Sequence, residues 1–248
     1  MTPDWIMPVL NRLAQGGLQT LSLAAVSVIT ALVFGLLLGV LMALPNGGIN
    51  RAIRAVLNVY LEIFRGVPLL VTLFIVFFIP PAIGIEFSPF VAAVIGLTLW
   101  GSANVMEVAY GALSSIPKGQ REAAEAQGFS WLQSMRYVLV PQAFRRMLPP
   151  IVNLLVDLIQ ATTLASLIGF TEILQYAKQS IERLSLSTGD GHAPEILLGV
   201  LIAFFILCYP LTLLSKSLEK KPVKRTRTPT TKTVGEKVEL TVHPRVPH

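Results

Sequence analysis

The sequence predicts an all-α integral membrane protein with five transmembrane helices, its N-terminus outside and its C-terminus in the cytoplasm. Three observations carry this. Of 248 residues, 53% are hydrophobic and only 14% are charged, where a soluble domain carries about 25% charged residues. Five apolar runs approach the roughly 20 residues needed to cross a bilayer. The cations fall on alternate connecting segments. Mean hydropathy is +0.64.

The first run, Leu18 to Leu44, has no charged residue in 27 positions. It is too long for a signal-peptide core, and no cationic segment sits at the very start of the chain, so it reads as a retained span. Residues 1–17 precede it as an outer segment. The second run is Gly66 to Ile85, interrupted by Pro80-Pro81. The third is Phe87 to Met106, with Glu107 at its end. The fourth, Met147 to Thr171, holds one acid, Asp157. The fifth, Ile196 to Ser215, is closed by Lys216. Helices are expected because backbone groups facing lipid must be satisfied within their own segment.

Arg51, Arg54 and Arg65 follow the first span. Lys118, Arg121, Arg136, Arg145 and Arg146 lie between the third and fourth. Nine more cations follow Ser215, so 17 of the chain's 20 fall on one side. The positive-inside rule makes that side cytoplasmic. The other side keeps Arg12, Lys178 and Arg183. The five-helix body spans 18–220. The tail, 221–248, is rich in Pro, Thr and Lys without apolar periodicity and is expected to be disordered; its cations suit contact with anionic membrane lipid. Nothing suggests nucleic-acid binding.

The most soluble-looking stretch in the chain's middle is "SIPKGQREAAEAQGFSWLQSMRYVLVPQAF", Ser115 to Phe144, within a cytoplasmic loop of residues 113–146. Ser115 is a candidate N-cap and Pro117 suits a first helical turn. Lys118 to Gln127 are good helix formers. Gly128 supplies a left-handed stop. Ser130 is expected to cap a second helix from Trp131 to Val140, ended by Pro141. Small alanines with one or two carboxylates make a slim, rigid knob suited to a groove on another protein. No G-x-x-x-x-G-K-[ST] phosphate cradle occurs in the chain, so any ATP chemistry must belong to a partner.

This loop resembles the "EAA" loop of ABC importer permease subunits. The resemblance extends to "YLEIFRGVPLL" (Tyr60 to Leu70), "VLVPQAFRRMLPPIVN" (Val138 to Asn153) and "TTLASLIGFTEIL" (Thr162 to Leu174). These look like the polar amino-acid branch, the permeases of the histidine, glutamine and glutamate type. The resemblance covers roughly residues 15 to 220. It implies a type I ABC importer permease fold in the bacterial cytoplasmic (inner) membrane, acting as a homodimer or paired with a homologous second permease. It implies two ATP-binding cassette subunits docked on the loop and a periplasmic solute-binding protein that delivers the solute. Transport is then by alternating access, inward-open at rest and outward-open when the ATPases close. Glu122, Ala123, Ala124 and Gly128 become ATPase-coupling residues. The chain is not itself an enzyme and holds no cofactor, ATP and magnesium residing on partner subunits. Two departures from the family pattern stand out. Tyr110 replaces an Arg that many relatives carry before the loop, and Gln160-Ala161 replace Lys-Asp in the fourth span.

Polar groups inside spans are costly and usually face a cavity or a partner. Glu107 is either a gate residue or an interfacial acid paired with a nearby Arg. Asp157 either lines the solute path or bonds another helix. Asn104, Thr162 and Thr163 are path candidates or polar glue between helices. Glu62 and Arg65, three apart on one helical face, are expected to be structural, in an ion pair or a loop contact. Phe74, Phe77 and Phe78 read as packing, as does the single cysteine, Cys208. His192, His243 and His248 lack metal-ligand spacing, and no metal site is expected. The competing functional class is an ion-gradient-driven secondary carrier or channel. That class is expected to show half-repeats and more spans, and neither is apparent.

Overall fold

In a computed structural model the described residues are 4–45 and 47–219, and among them no strand occurs. Helix α1 runs Ile6–Met42, α2 Gly48–Gly66, α3 Leu69–Phe78, α4 Pro89–Ser114, α5 Lys118–Ala126, α6 Trp131–Ser134, α7 Val140–Ala161, α8 Ile173–Thr188 and α9 Ala193–Glu219. A 3₁₀ turn, Pro80–Ile83, follows α3, a π turn, Met135–Leu139, joins α6 to α7, and a 3₁₀ segment, Thr162–Ile168, extends α7. The tail, residues 221–248, lies outside the described residues.

Four helical stretches are long and apolar enough to cross a membrane: α1, α4, the continuous Trp131–Ile168 and α9. The second expected span takes a different form. The run from Gly66 to Ile85 holds only the ten-residue α3 and the 3₁₀ turn. Ten residues rise about 15 Å, half of a hydrocarbon core of about 30 Å. By length and apolarity a fifth crossing exists only if α2 and Leu69–Ile83, bent by 103°, count together as one broken span; as two pieces they make a re-entrant loop. Pro68 causes the break. It holds Val67 extended at φ −82°, ψ 129°, because a proline ring crowds the helical conformation of the residue before it.

The helices outrun the apolar runs. α1 begins at Ile6, ahead of Leu18, and α4 continues past Met106 to Ser114. A lack of charge marks the apolar part of a helix, while its ends are fixed by turns and prolines. The segment from Glu172 to Glu195 forms α8 over most of its length.

The centre of the bundle is the pair α1 and α4. Their backbones approach closely because small residues face each other. A Cβ added to Gly35 would sit 2.5 Å from the Val105 Cβ, one on Gly39 2.6 Å from the Ala109 Cβ, and one on Gly101 2.8 Å from the Ala31 Cβ. Ala31, Gly35 and Gly39 recur every four residues, as do Gly101, Val105 and Ala109. This is small-residue packing, which lets membrane helices gain dispersion contacts where no hydrophobic force separates them from lipid. Leu158 of α7 closes over Gly101. Cys208 of α9 is buried with Ala24 and Ile159, as packing rather than reactive chemistry.

α8 locks against the first half of α1. The Gly16 position leaves 2.6 Å between an added Cβ and the Ile173 Cα. The Thr20 hydroxyl accepts from the Ile173 N–H at 3.2 Å, and Arg12 donates to Gln179 at 2.7 Å. The outer faces of α1 and α9, with Ile29, Val33, Leu37, Leu201, Phe205 and Ile206, are exposed and apolar, as lipid-facing surfaces must be.

Candidate coupling loop and solute path

The soluble-looking segment emerges from the end of α4. Ser115 does not cap α5. Its hydroxyl donates back to the Ala112 carbonyl at 2.7 Å, and it serves as the C-cap of α4. The carbonyl and hydroxyl of Ser115 both accept from Arg146 Nη1, at 2.6 and 2.8 Å. An orphan carbonyl at a helix end needs a donor, and Arg146 supplies it from α7. The position before α5 belongs to Pro117, whose ring suits a helix start. Ile116 is buried with Ala112, Met135, Leu139 and Met147 and anchors the loop to the bundle.

α5 ends in a Schellman motif around Gly128. The Phe129 N–H donates to the Ala124 carbonyl at 3.1 Å and the Gly128 N–H to Glu125 at 2.9 Å. Gly128 adopts φ +82°, a left-handed conformation that costs a residue with a Cβ about 1–2 kcal/mol. The expected stop is therefore observed. Only Ala124 of α5 is buried, while Glu122 and Ala123 are exposed. The loop thus presents a stiff helical knob outward, held from behind by one alanine and Ile116.

Ser130 caps the next helix as expected, with a reciprocal capping box. Its hydroxyl accepts from the Gln133 N–H and the Gln133 carboxamide accepts from the Ser130 N–H at 2.8 Å. Pro141 does not end that helix. α6 passes through the π turn into α7 and continues to Ala161. Pro141 lies in the first turn of α7, where a missing N–H is tolerated. The wider turn before it reroutes the hydrogen bonds, the Val140 N–H reaching the Met135 carbonyl.

Glu107 is paired. Its Oε1 lies 2.7 Å from Arg65 Nη1, so Arg65 bridges from the end of α2 to α4. The expected Glu62–Arg65 pair is replaced by this contact. An exposed pair on one helix is worth only about 0.2–0.5 kcal/mol, and Glu107, set inside a longer α4, needs the counter-charge more. Two turns earlier, the Tyr60 hydroxyl donates to the Leu99 carbonyl at 2.9 Å and shares a 2.6 Å hydrogen bond with Ser102. Sequence alone assigns Tyr60 no role. Its signal was a polar aromatic at the same helical spacing as Phe64, on a helix with a strongly apolar side.

Among the described residues Asp157 has no hydrogen-bond or ion-pair partner, and it is exposed in the protomer. Asn153, Asp157 and Gln160 lie at helical spacing and are all exposed on one face of α7. Asn104 is half-buried and donates to the Trp100 carbonyl at 2.8 Å. Thr163 donates to the Gln160 carbonyl at 2.8 Å. Thr162 is fully buried in the protomer, bonded to the Ile159 carbonyl of its own helix at 2.7 Å. Glu172 was not singled out. It is fully buried and caps α8, accepting from the Leu174 and Gln175 N–H groups at 2.9 and 2.8 Å. Burial pushes its carboxyl above the usual carboxylate range, an effect that those two hydrogen bonds and Lys178 oppose.

An all-helical, multi-pass bundle with a bent helix pair, a polar stripe on one span and a projecting helical knob defines a transport subunit. The family model described as "Binding-protein-dependent transport system inner membrane component" matches residues 35–224. The chain belongs to this family and is the permease subunit of an ABC importer, not an enzyme in its own right. The putative glutamine transport system permease protein GlnP of Rickettsia conorii (strain ATCC VR-613 / Malish 7) is 34% identical, over 87% of this chain and 95% of that protein. The probable amino-acid ABC transporter permease protein YckA of Bacillus subtilis (strain 168) is 44% identical, over 58% of this chain and 64% of its own length. Among solved structures, a crystal structure of an amino acid ABC transporter with histidines superposes with a TM-score of 0.74 at 26% identity, over 90% of this chain and 100% of that chain. Family membership implies ATPase and substrate-binding partners and a second permease.

Proposed function

We propose that this chain is the membrane half of an importer for an amino acid or similar small polar solute, driven by ATPase subunits that dock on α5. The observation that carries the coupling role is the α5 knob: Glu122 and Ala123 stand outward while Ala124, Ile116 and the Gly128 stop fix its pose. A partner that pushes on such a knob moves α4 and α7 together, because Arg146 ties the base of the loop to both. Two ATP-binding cassette subunits carry ATP and magnesium. A second permease, identical or homologous, completes the path, and a periplasmic binding protein presents the solute. The amino-acid class is supported by the names of the relatives. The loop face is cytoplasmic by its cations, the N-terminus lies outside, and the site of action is the bacterial cytoplasmic membrane. Glu107, Asp157, Asn104, Thr162 and Thr163 remain the path candidates, and Asp157 is the foremost because it is exposed without a partner.

The test is uptake in proteoliposomes with the ATPase and binding protein encoded in neighbouring reading frames. ATP-dependent uptake that is lost in Glu122→Lys, with membrane insertion unchanged, is the expected result. Uptake by this chain alone, insensitive to ATP, would overturn the proposal in favour of a gradient-driven carrier.

A further inference from the structure

Asp157 is the only charged residue between Met147 and Ile168, in a helical stretch long and apolar enough to cross a membrane. It is exposed, and among the described residues its carboxylate makes no hydrogen bond or ion pair. The helices packed against α7 are α1, α4 and α9, and none of them brings a counter-charge to its level. α4 contains no cation. α1 contains only Arg12, which donates to Gln179 of α8 at 2.7 Å. α9 contains only Lys216. α9 runs antiparallel to α7: Cys208 packs with Ile159 and Val156, and the Ser215 hydroxyl donates to the Pro149 carbonyl at 3.2 Å. That register puts Lys216 near the level of Pro149, eight residues or about 12 Å along the axis from Asp157. On α7 itself Arg145 and Arg146 lie about three turns away, and Arg146 is held by Ser115.

What flanks Asp157 is neutral. Asn153 and Gln160, one turn to either side on the same exposed face, offer carboxamides. Tyr209 of α9 comes to the level of Asp157 in the same register; it is exposed and stacked on Phe205 at 4.9 Å, and an aromatic face attracts cations. A carboxylate in an apolar helix is costly without a counter-charge. A neutral zwitterion brings equal positive and negative charge and leaves the carboxylate in excess. An anion adds repulsion. A solute with one net positive charge balances this face, and the two carboxamides can donate to its own carboxylate.

We propose that Asp157 selects solutes of net positive charge, so that the transported class is cationic amino acids or similarly charged small molecules rather than neutral or acidic ones. The inference rests on the reading of this α7 face as part of the solute path. It assigns the missing counter-charge to the solute itself, whose cationic end meets the Asp157 carboxylate while Asn153 and Gln160 meet its polar end.

The experiment measures binding of L-arginine and of L-citrulline, its neutral near-isostere, to the purified permease–ATPase complex by saturation-transfer NMR. The binding protein is left out, so that its own selectivity does not enter. L-Arginine is expected to bind about tenfold more tightly than L-citrulline. Asp157→Asn, which keeps the shape and removes the charge, should bring the two within about twofold while citrulline binding is retained. Asp157→Glu should keep a preference for arginine. Asp190→Asn, in the exposed turn between α8 and α9, should leave the preference unchanged. Equal affinities in the unaltered complex overturn the proposal, as does a preference that survives Asp157→Asn. Equal loss of preference in Asp190→Asn assigns it to the general field of the protein and also overturns it. So does equal weakening of both ligands in Asp157→Asn, which would make Asp157 a reader of the ammonium group common to all amino acids. Uptake in proteoliposomes separates this proposal from the importer reading. ATP-driven uptake without a charge preference in the complex sinks the selectivity alone, whereas ATP-independent uptake with the arginine preference intact sinks the importer reading alone.

Discussion

Arg65 on α2 and Glu107 on α4 meet at 2.7 Å, joining the end of α2 to the central helix of the bundle. The pair sits two residues before Val67, where the chain changes direction. Both side chains are nearly half exposed, at 42% and 45%, so their mutual attraction contributes only about 0.2–1 kcal/mol. Its value lies in position. Arg65→Gln or Glu107→Gln is expected to move the melting temperature by no more than about 2–4 °C. Uptake should fall about tenfold, as for a loss of about 1.4 kcal/mol. The charge-swapped double variant, Arg65→Glu with Glu107→Arg, should recover part of it. Normal uptake in both single variants would reduce the pair to a surface contact.

The α1–α4 seam gives a prediction of opposite kind. Gly35→Ala drives a Cβ to within 2.5 Å of the Val105 side chain and 2.8 Å of the Ser102 carbonyl. Overpacking of this sort costs about 1–3 kcal/mol. Gly17→Ala, on the same helix with nothing within 4 Å, should be neutral or gain up to about 1 kcal/mol from helix propensity. Thermal unfolding in detergent compares the two directly; equal melting temperatures would show that the seam relaxes.

Gly128 separates stability from coupling. Gly128→Ala retains φ +82° only at a cost of about 1–2 kcal/mol, and relief of that strain unwinds the end of α5. The expected outcome is weaker ATPase co-purification with little change in global melting, because α5 buries only Ala124. Gly128→Asn should be milder, since asparagine tolerates the left-handed region. A pull-down with the partner ATPase ranks the three proteins.

Glu172 makes stability depend on pH. Its carboxyl is raised above the ordinary 4.5, chiefly by burial. A raised acid favours the folded state in its protonated form, so this contribution is complete below 4.5 and is lost as pH rises through the folded-state value. The melting temperature should therefore decline as pH climbs from about 4.5 into the range above it, then level off. Glu172→Gln should flatten that window, while keeping one acceptor for the cap of α8. A decline of the same size in Glu172→Gln would assign the pH dependence to another group.

Much of the fold was legible because membrane physics leaves few options. Apolar runs named the crossings. The α5 knob was legible too, because Pro117 and Gly128 act locally. Pro141 misled because its effect depends on the π turn before it, a hydrogen-bond pattern that residue type does not reveal. Glu62 and Arg65 misled because spacing along one helix hides a better partner on another. Thr162 and Asp157 are both polar, and polarity in a span does not say which of them the protomer buries. The Ala31-Gly35-Gly39 and Gly101-Val105-Ala109 repeats carry the α1–α4 contact at four-residue spacing.

By itself the sequence determined that the chain is helical, that its apolar runs suit several membrane crossings, and that the short α5 stops at Gly128. Those features rest on hydropathy and on residues such as Gly128, whose backbone preference needs no neighbours. Only the tertiary structure decided that α2 and the stretch after Pro68 are bent by 103°, that Glu107 is held by Arg65, and that Asp157 is exposed while Thr162 is buried. Those outcomes depend on which helix faces pack together, as the small residues between α1 and α4 do.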